Sequence, residues 1–222
     1  MKPYLTVLGQ GEAEQVIERS RFIGYVIPAK TVTDCEEFFE RIRKEHRQAD
    51  HNVPAYVLGE GGCLQWTSDD GEPRGTSGAP VVHMLVEEGI SDIAVCITRY
   101  FGGTKLGTGG LMRAYTGTAK QAIAAAGLGR VCEQLVIDIE IDYTGYERIK
   151  AAAGEAYIIE NVEFTDKVKV SFSCDPSAKD LALEQMRTIC PGACICGERT
   201  EVVTVPTADV GAASCRPLTE RL

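Results

Sequence analysis

The chain has 222 residues, 44% of them hydrophobic and 25% charged, with 23 Lys and Arg against 32 Asp and Glu. These proportions are ordinary for a globular protein, and no apolar run reaches the roughly 18 residues that a membrane-spanning helix needs. The first residues include acids where a signal peptide needs an apolar stretch, so we expect a cytoplasmic protein with no membrane partner. Nine cysteines, several of them in apolar patterns, fit buried free thiols in a reducing compartment.

The first part of the chain predicts alternating strands and one long helix. Strands are predicted at 12–19, 22–29, 53–58 and 63–66, and a helix at 31–49. Thr33 and Glu36 form the predicted capping box of this helix. His46 lies on the apolar stripe of the helix, and we interpret it as a packed or half-exposed residue rather than a catalyst.

Residues 68–80, with the sequence SDDGEPRGTSGAP, predict a turn followed by a helix at 81–88. Asp70 and Gly71 are a turn signal, and Pro80 fits the first turn of the helix. Thr76 or Ser77 is predicted to cap that helix. A serine-hydrolase elbow is a weak alternative, because no strand closely precedes these residues.

Four residues near this turn are weak candidates for catalysis, namely His51, Asp69, Asp70 and Glu72. The three carboxylates suit a divalent cation, but their spacing matches no calcium loop, and we favour a role in the turn. His51 is predicted to lie in a loop, where chemistry is common, although the sequence shows no partner for it and a structural role is equally compatible. We expect no metal and no cofactor.

A strand, a glycine-rich loop and a helix follow between residues 93 and 130. The apolar run 93–98 predicts a buried strand, and five glycines in the next stretch predict a loop through Gly110, after which Gly127 ends a helix. Free backbone N–H groups in such a geometry can bind an anion, yet the spacing fits neither a P-loop nor a dinucleotide fingerprint. The predicted phosphate- and RNA-binding residues are Arg99, Tyr100, Phe101, Gly102, Gly103, Lys105, Gly107, Gly109, Gly110 and Arg113.

Charge is distributed unevenly along the chain. No Asp or Glu occurs between Ile93 and Cys132, whereas this stretch contains five Lys and Arg. The 92 residues after Arg130 contain 9 basic and 16 acidic residues, so a polyanion is expected to approach the first part of the chain. The alternative is that the glycines only build a turn and the basic side chains are simply solvated.

The last third of the chain predicts a second domain. Strand and helix patterns occur in the order βαββαβ, at 133–142, 143–154, 157–164, 168–174, 176–189 and 198–205, which predicts a ferredoxin-like α+β domain. The expected domains are therefore 1–130 and 131–205, with a tail at 206–222. Cys190, Cys194 and Cys196 lack the spacing of a zinc ribbon, and a thiol cluster without metal is favoured.

Four segments closely resemble the IMPACT family, whose bacterial YigZ-like members have two domains. They are TRYFGGTKLGTGGLMRAY, SDDGEPRGTSGAP, the SRF at Ser20 and ADHNVPAY, and the resemblance covers residues 11–205. It implies a first α/β domain like the second domain of ribosomal small-subunit protein five, and a last domain like that of elongation factor G. Val53 stands where the family usually has cysteine, which counts against an obligatory thiol there. The link of eukaryotic members to translational control depends on an extra domain, so the resemblance does not imply the same link for this chain.

Two functions follow as alternatives. One is a non-enzymatic, translation-associated factor that binds RNA or the ribosome through the basic loop, with Tyr100 and Phe101 either stacking on unpaired bases or packing under the loop. The other is an enzyme acting on a small phosphorylated or nucleotide-like ligand, with the carboxylates or His51 as acid, base or metal ligand. The sequence leaves the oligomeric state open.

Overall fold

The computed structural model describes residues 1–152 and 157–207. The described residues divide into two compact units, one formed by Lys2–Arg130 and the other by the described residues from Val131 onward together with Met1. We call them the N-terminal and C-terminal units. The division falls inside one continuous strand, Leu128–Ile141.

The N-terminal unit contains six strands and three α-helices before that shared strand. The elements are β1 Tyr4–Val7, β2 Gly11–Ile17, β3 Ser20–Pro28, α1 Val32–Glu45, β4 His51–Leu58, β5 Leu64–Thr67, α2 Gly78–Glu87, β6 Ile93–Tyr100 and α3 Gly107–Ala126. The sequence-based strands correspond to β2 to β6, whereas β1 was not predicted.

A five-stranded antiparallel sheet in the order β2-β3-β6-β4-β5 forms the centre of this unit. Alternate residues of a strand point to opposite faces, and both faces here are apolar. One face packs on α2 and α3 through a core that includes Ile97 and Tyr115, and the other packs on α1 through Cys96 and Phe39. Helices on both faces explain why β6 is buried along nearly its whole length, as its unbroken apolar run predicted.

Helix α3 begins earlier than its glycines predicted. The sequence placed Gly107, Gly109 and Gly110 in the loop, but they form the first turn of the helix. Each interior glycine costs a helix about 1 kcal/mol relative to alanine. Burial of Leu111 and Tyr115 and the rest of the helix face outweighs that cost. The predicted end is confirmed, because Gly127 caps the helix with φ +75°.

Two predicted helix caps were wrong. The capping box of α1 uses Thr31 and Asp34, with Asp34 N–H donating to Thr31 Oγ1 at 3.1 Å and Thr31 N–H to the Asp34 carboxylate at 2.9 Å. Two Thr-x-x-acid patterns overlap there, and the helix starts at the earlier one. Ser77 occupies the N-cap position of α2, but its side chain makes no capping bond.

The C-terminal unit confirms the predicted ferredoxin-like fold. It consists of β7 Leu128–Ile141, α4 Tyr143–Ala152, β8 Ile158–Phe164, β9 Val168–Cys174, α5 Lys179–Ile189 and β10 Cys194–Pro206. β7 belongs to a five-stranded sheet with the order β1-β7-β9-β8, and β10 also pairs with β7. Among the four strands of the βαββαβ segment, β7 therefore lies between β10 and β9, and β8 follows β9, as in a ferredoxin-like fold. Gly154, the predicted end of α4, and residues 208–222 of the predicted tail lie outside the described residues.

Candidate nucleic-acid interface

Arg99 lies inside the N-terminal unit, at the end of β6, with only 4% of its surface exposed. Its Nη1 donates to Glu72 Oε1 at 2.6 Å, and its Nη2 donates to Ser20 Oγ at 3.2 Å. The prediction that Arg99 contacts phosphate is therefore corrected. The segment 68–80 covers this end of the sheet. The carboxylate of its Glu72 neutralises the buried Arg99 guanidinium, which is therefore not available to an external anion.

Tyr115 of α3 completes this buried ion pair. Its hydroxyl donates to the same Glu72 Oε1 at 2.7 Å. Burial raises the pKa of Tyr115 strongly, and the hydrogen bond to the Glu72 carboxylate raises it further. Tyr115 therefore stays a neutral donor, and one carboxylate oxygen ties α3 to the end of β6.

Asp69 caps helix α2. Its Oδ1 accepts hydrogen bonds from Gly78 N–H at 3.0 Å, from Ser77 N–H at 3.3 Å and from Ser77 Oγ at 2.6 Å. Its Oδ2 accepts from Gly75 N–H at 2.7 Å. Burial by itself raises the pKa of Asp69, but these hydrogen bonds lower it more, so the net pKa lies below the ordinary range.

His51 was predicted to lie in a loop, but it is the first residue of β4 and pairs with Arg99 of β6. Asp70 and Glu72 lie beside it. The Asp70 carboxylate accepts from Asn52 N–H at 2.6 Å, and the residue itself adopts φ +46° in the predicted turn. His51 Nδ1 lies 2.7 Å from the carbonyl oxygen of Asp70, and its Nε2 lies 3.8 Å from Glu72 Oε1. The structure therefore shows the neighbours of His51 that the sequence could not show. It also places Asp69, Asp70 and Glu72 in the turn itself, where their carboxylates bind α2, β4 and α3 respectively.

The beginning of the glycine-rich loop (residues 101–106, ahead of α3) is fixed to the sheet. Phe101 N–H donates to the Asp50 carboxylate at 2.7 Å, and Gly102 N–H donates to Ser20 Oγ at 3.2 Å. A Cβ atom on Gly102 would lie 2.0 Å from the carbonyl carbon of Arg19. Only glycine therefore allows the loop to approach the β2–β3 hairpin so closely.

Tyr100 and Phe101 have different environments. The Tyr100 hydroxyl lies 2.9 Å from His46 Nδ1, and the Arg21 guanidinium lies 5.7 Å from its ring centroid. The Phe101 side chain is 44% exposed, and the Arg99 guanidinium lies 5.3 Å from its ring centroid. Of the two aromatic residues, Phe101 presents the larger free surface, while Tyr100 is tied to α1 through His46.

The far end of the loop combines exposed cations with an uncapped helix. No side chain caps the N-terminus of α3, and its first turn has no acidic residue. Lys105 and Arg113 are exposed, and neither forms an ion pair with a carboxylate of the described residues. Gly103 and Gly107 adopt φ of +82° and +69°. Residues with a Cβ atom disfavour this left-handed conformation, so the exposed backbone here depends on glycine.

Lys120 of α3 forms an exposed salt bridge with Glu88 at 2.5 Å. Cys190 is buried, whereas Cys194 and Cys196 are exposed on β10. Within residues 1–152 and 157–207, no three His, Cys, Asp or Glu side chains are grouped so as to hold a metal ion.

Over the described part of the chain, no helix has both the length and the apolar character required to cross a bilayer.

Two family models match the chain, one in each unit. The model described as the Impact N-terminal domain matches residues 18–123, and a domain of unknown function, DUF1949, matches residues 139–193. The first match includes the segment 68–80, β6 and the glycine-rich loop, and therefore the whole of the candidate interface.

Similar proteins are found among bacteria. The IMPACT family member YvyE of Bacillus subtilis is 36% identical over 167 residues, which cover 75% of this chain and 77% of the relative. An IMPACT family member of Thermus thermophilus is 33% identical over 75% of this chain and 94% of its own length. A crystal structure titled as a hypothetical protein is similar with a TM-score of 0.56 and 26% identity, over 93% of this chain and 98% of that one.

Proposed function

The chain belongs to the IMPACT family, and we propose that within it this protein is a translation-associated factor that binds RNA or the ribosome. The binding surface is the glycine-rich loop with the beginning of α3. The observation that supports this most is the combination of an uncapped helix N-terminus with Lys105 and Arg113, both exposed and without a carboxylate partner among the described residues.

The first turn of α3 suits a phosphate group. The first N–H groups of a helix have no partner within the helix, and the helix dipole places partial positive charge beside them. Gly107, Gly109 and Gly110 expose that backbone, because no side chain stands between it and a ligand. Lys105 and Arg113 add two full positive charges to this end of the helix, and backbone amides with basic side chains are the usual contacts to RNA phosphates.

The charge pattern favours a polyanion over a single small anion. The protein is acidic by 9 charges, yet 40 consecutive residues around the loop contain no Asp or Glu. A polyanion would be repelled by most of this protein's surface and attracted to this segment, which orients its approach. Arg99 does not contribute a phosphate contact to this proposal, because its charge is neutralised by Glu72.

The enzymatic alternative receives less support from the geometry. It needs carboxylates that are available to a ligand as acid, base or metal ligand. Asp69, Asp70 and Glu72 instead accept hydrogen bonds that hold the turn, β4 and α3 together. A binding protein needs these groups only to position the loop, which agrees with their present partners.

Binding to RNA and to ribosomal subunits tests the proposal. We expect wild-type protein to bind a labelled single-stranded RNA in anisotropy titrations at low salt and to sediment with ribosomal subunits. The double variant Lys105→Ala/Arg113→Ala should lose about 100-fold or more in affinity, since each of the two charged contacts contributes about 1.5–3 kcal/mol.

The matched control is Lys120→Ala, which removes a cation from the same helix that already pairs with Glu88. It should bind within about twofold of wild type, because a satisfied exposed pair contributes little. Absence of RNA and ribosome binding at low salt, or equal binding by the double variant and wild type, would refute the proposed function.

A further inference from the structure

Phe101 is an exposed aromatic residue whose backbone is held in place. Its N–H is bound by the Asp50 carboxylate at 2.7 Å, and the next N–H, of Gly102, is bound by Ser20 Oγ at 3.2 Å. Gly102 also lies so close to Arg19 that no Cβ atom would fit. The position from which the Phe101 ring projects is therefore fixed by the sheet, although it belongs to a loop.

The ring of Phe101 is supported from the protein side. The Arg99 guanidinium lies 5.3 Å from its centroid and 5.2 Å from the centroid of the buried Phe22. Both contacts are within the range of cation–π attraction. Arg99 is held by Glu72 and Ser20, so the support under Phe101 is as rigid as the buried ion pair itself.

One buried donor of Arg99, its Nε, has no hydrogen-bond partner among the residues that the structure describes, although Arg99 is only 4% exposed. Leaving a buried donor unsatisfied is unfavourable, so the guanidinium is not placed to maximise hydrogen bonding alone. Its contacts with the two phenylalanine rings are consistent with a position that also serves to hold Phe101.

We propose that Phe101 is a fixed stacking platform for one unpaired base, and that the loop therefore binds single-stranded rather than duplex RNA. This inference rests on the proposed function. Aromatic side chains stack on bases of any sequence, and only an unpaired base exposes a face to them. A ring held in its bound position loses little conformational freedom when it binds, which favours affinity. Glu72 and Arg99 act as positioning residues in this site.

The test compares a short single-stranded RNA with a duplex of the same sequence, each titrated against full-length protein. Wild type should prefer the single strand. Phe101→Ala should weaken single-strand binding about tenfold and leave duplex binding unchanged, because stacking contributes about that much per base. Phe101→Trp should keep the preference for the single strand that Phe101→Ala loses. In a Trp66→Phe background, which removes the chain's own tryptophan, the stacked base should quench the indole emission of this variant.

The matched control is Phe164→Ala, which removes another exposed phenylalanine, on β8 of the C-terminal unit. It should bind both RNAs as wild type does. If no RNA binds to any form, the proposed function fails and the inference fails with it. If RNA binds and depends on Lys105 and Arg113, but Phe101→Ala lowers neither affinity or lowers both equally, the inference alone is overturned.

Discussion

The buried contact of Glu72 with Arg99 and Tyr115 makes a quantitative prediction about stability. Replacing Glu72 with Ala leaves the Arg99 guanidinium buried without a counter-charge and the Tyr115 hydroxyl without its acceptor. Removing one partner of a buried ion pair costs about 3–5 kcal/mol. The lost acceptor of Tyr115 adds about 1 kcal/mol, so we expect the free energy of unfolding of the N-terminal unit to fall by about 5 kcal/mol.

Urea denaturation followed by tryptophan fluorescence measures this change. The chain has a single tryptophan, Trp66, which lies on β5, so its emission reports on the N-terminal unit alone. Lys120→Ala is the control, because the Lys120–Glu88 pair is exposed and should contribute less than about 1 kcal/mol.

A double substitution separates the buried charge from simple loss of packing. Glu72→Leu with Arg99→Met removes both charges while filling similar volume, and it should recover most of the stability that Glu72→Ala loses. A loss below about 1 kcal/mol for Glu72→Ala would refute the assignment of a tightly coupled pair. The same conclusion would follow if the effects of the two single substitutions simply added in the double variant.

Three further predictions follow from individual contacts. Asp69→Ala removes the acceptor of the α2 N-terminus and should cost about 1–2 kcal/mol by the same urea assay. Because the folded pKa of Asp69 is depressed, its stabilising effect is complete above the ordinary value of 3.8 and is lost as the pH falls below it; a variant that loses stability equally at pH 7 and pH 2 would contradict this. Burial raises the pKa of the Cys96 thiol to about 12, so iodoacetamide at pH 8 should modify the exposed Cys63 and leave native Cys96 unmodified in a peptide mass map, and rapid Cys96 modification would show that this core opens. Gly102→Ala must displace the loop from Arg19 and should weaken RNA binding more than Gly9→Ala, at an open position without a positive φ; equal effects would argue against a fixed loop.

The sequence predicted the fold where a local pattern reports burial. The apolar run at 93–98 identified β6 because both faces of that strand are covered, and the βαββαβ order identified the C-terminal fold because short connections leave few arrangements. Local patterns failed at helix starts. Glycines at 107, 109 and 110 argued against a helix that tertiary burial nevertheless stabilises, and two overlapping capping patterns could not be ranked without knowing where α1 begins.

The candidate site was only partly accessible to sequence reasoning. The exposure of Lys105 follows from its place in a glycine-rich loop, and that of Arg113 from its place on the polar face of α3. The pairing of Arg99 with Glu72, 27 residues earlier in the chain, depends on how segment 68–80 folds over the sheet. The difference between Tyr100 and Phe101 depends in the same way on His46, which the sequence placed only on its own helix.

The salt dependence of RNA binding tests the central claim most directly. For a single strand, each neutralised phosphate contributes a slope of about 0.7 to the fall of log affinity with log salt concentration. If Lys105 and Arg113 each contact a phosphate, the double variant Lys105→Ala/Arg113→Ala should have a slope about 1.4 smaller than wild type. Equal slopes for the two proteins would contradict the account, because the two cations would then make no contact with RNA.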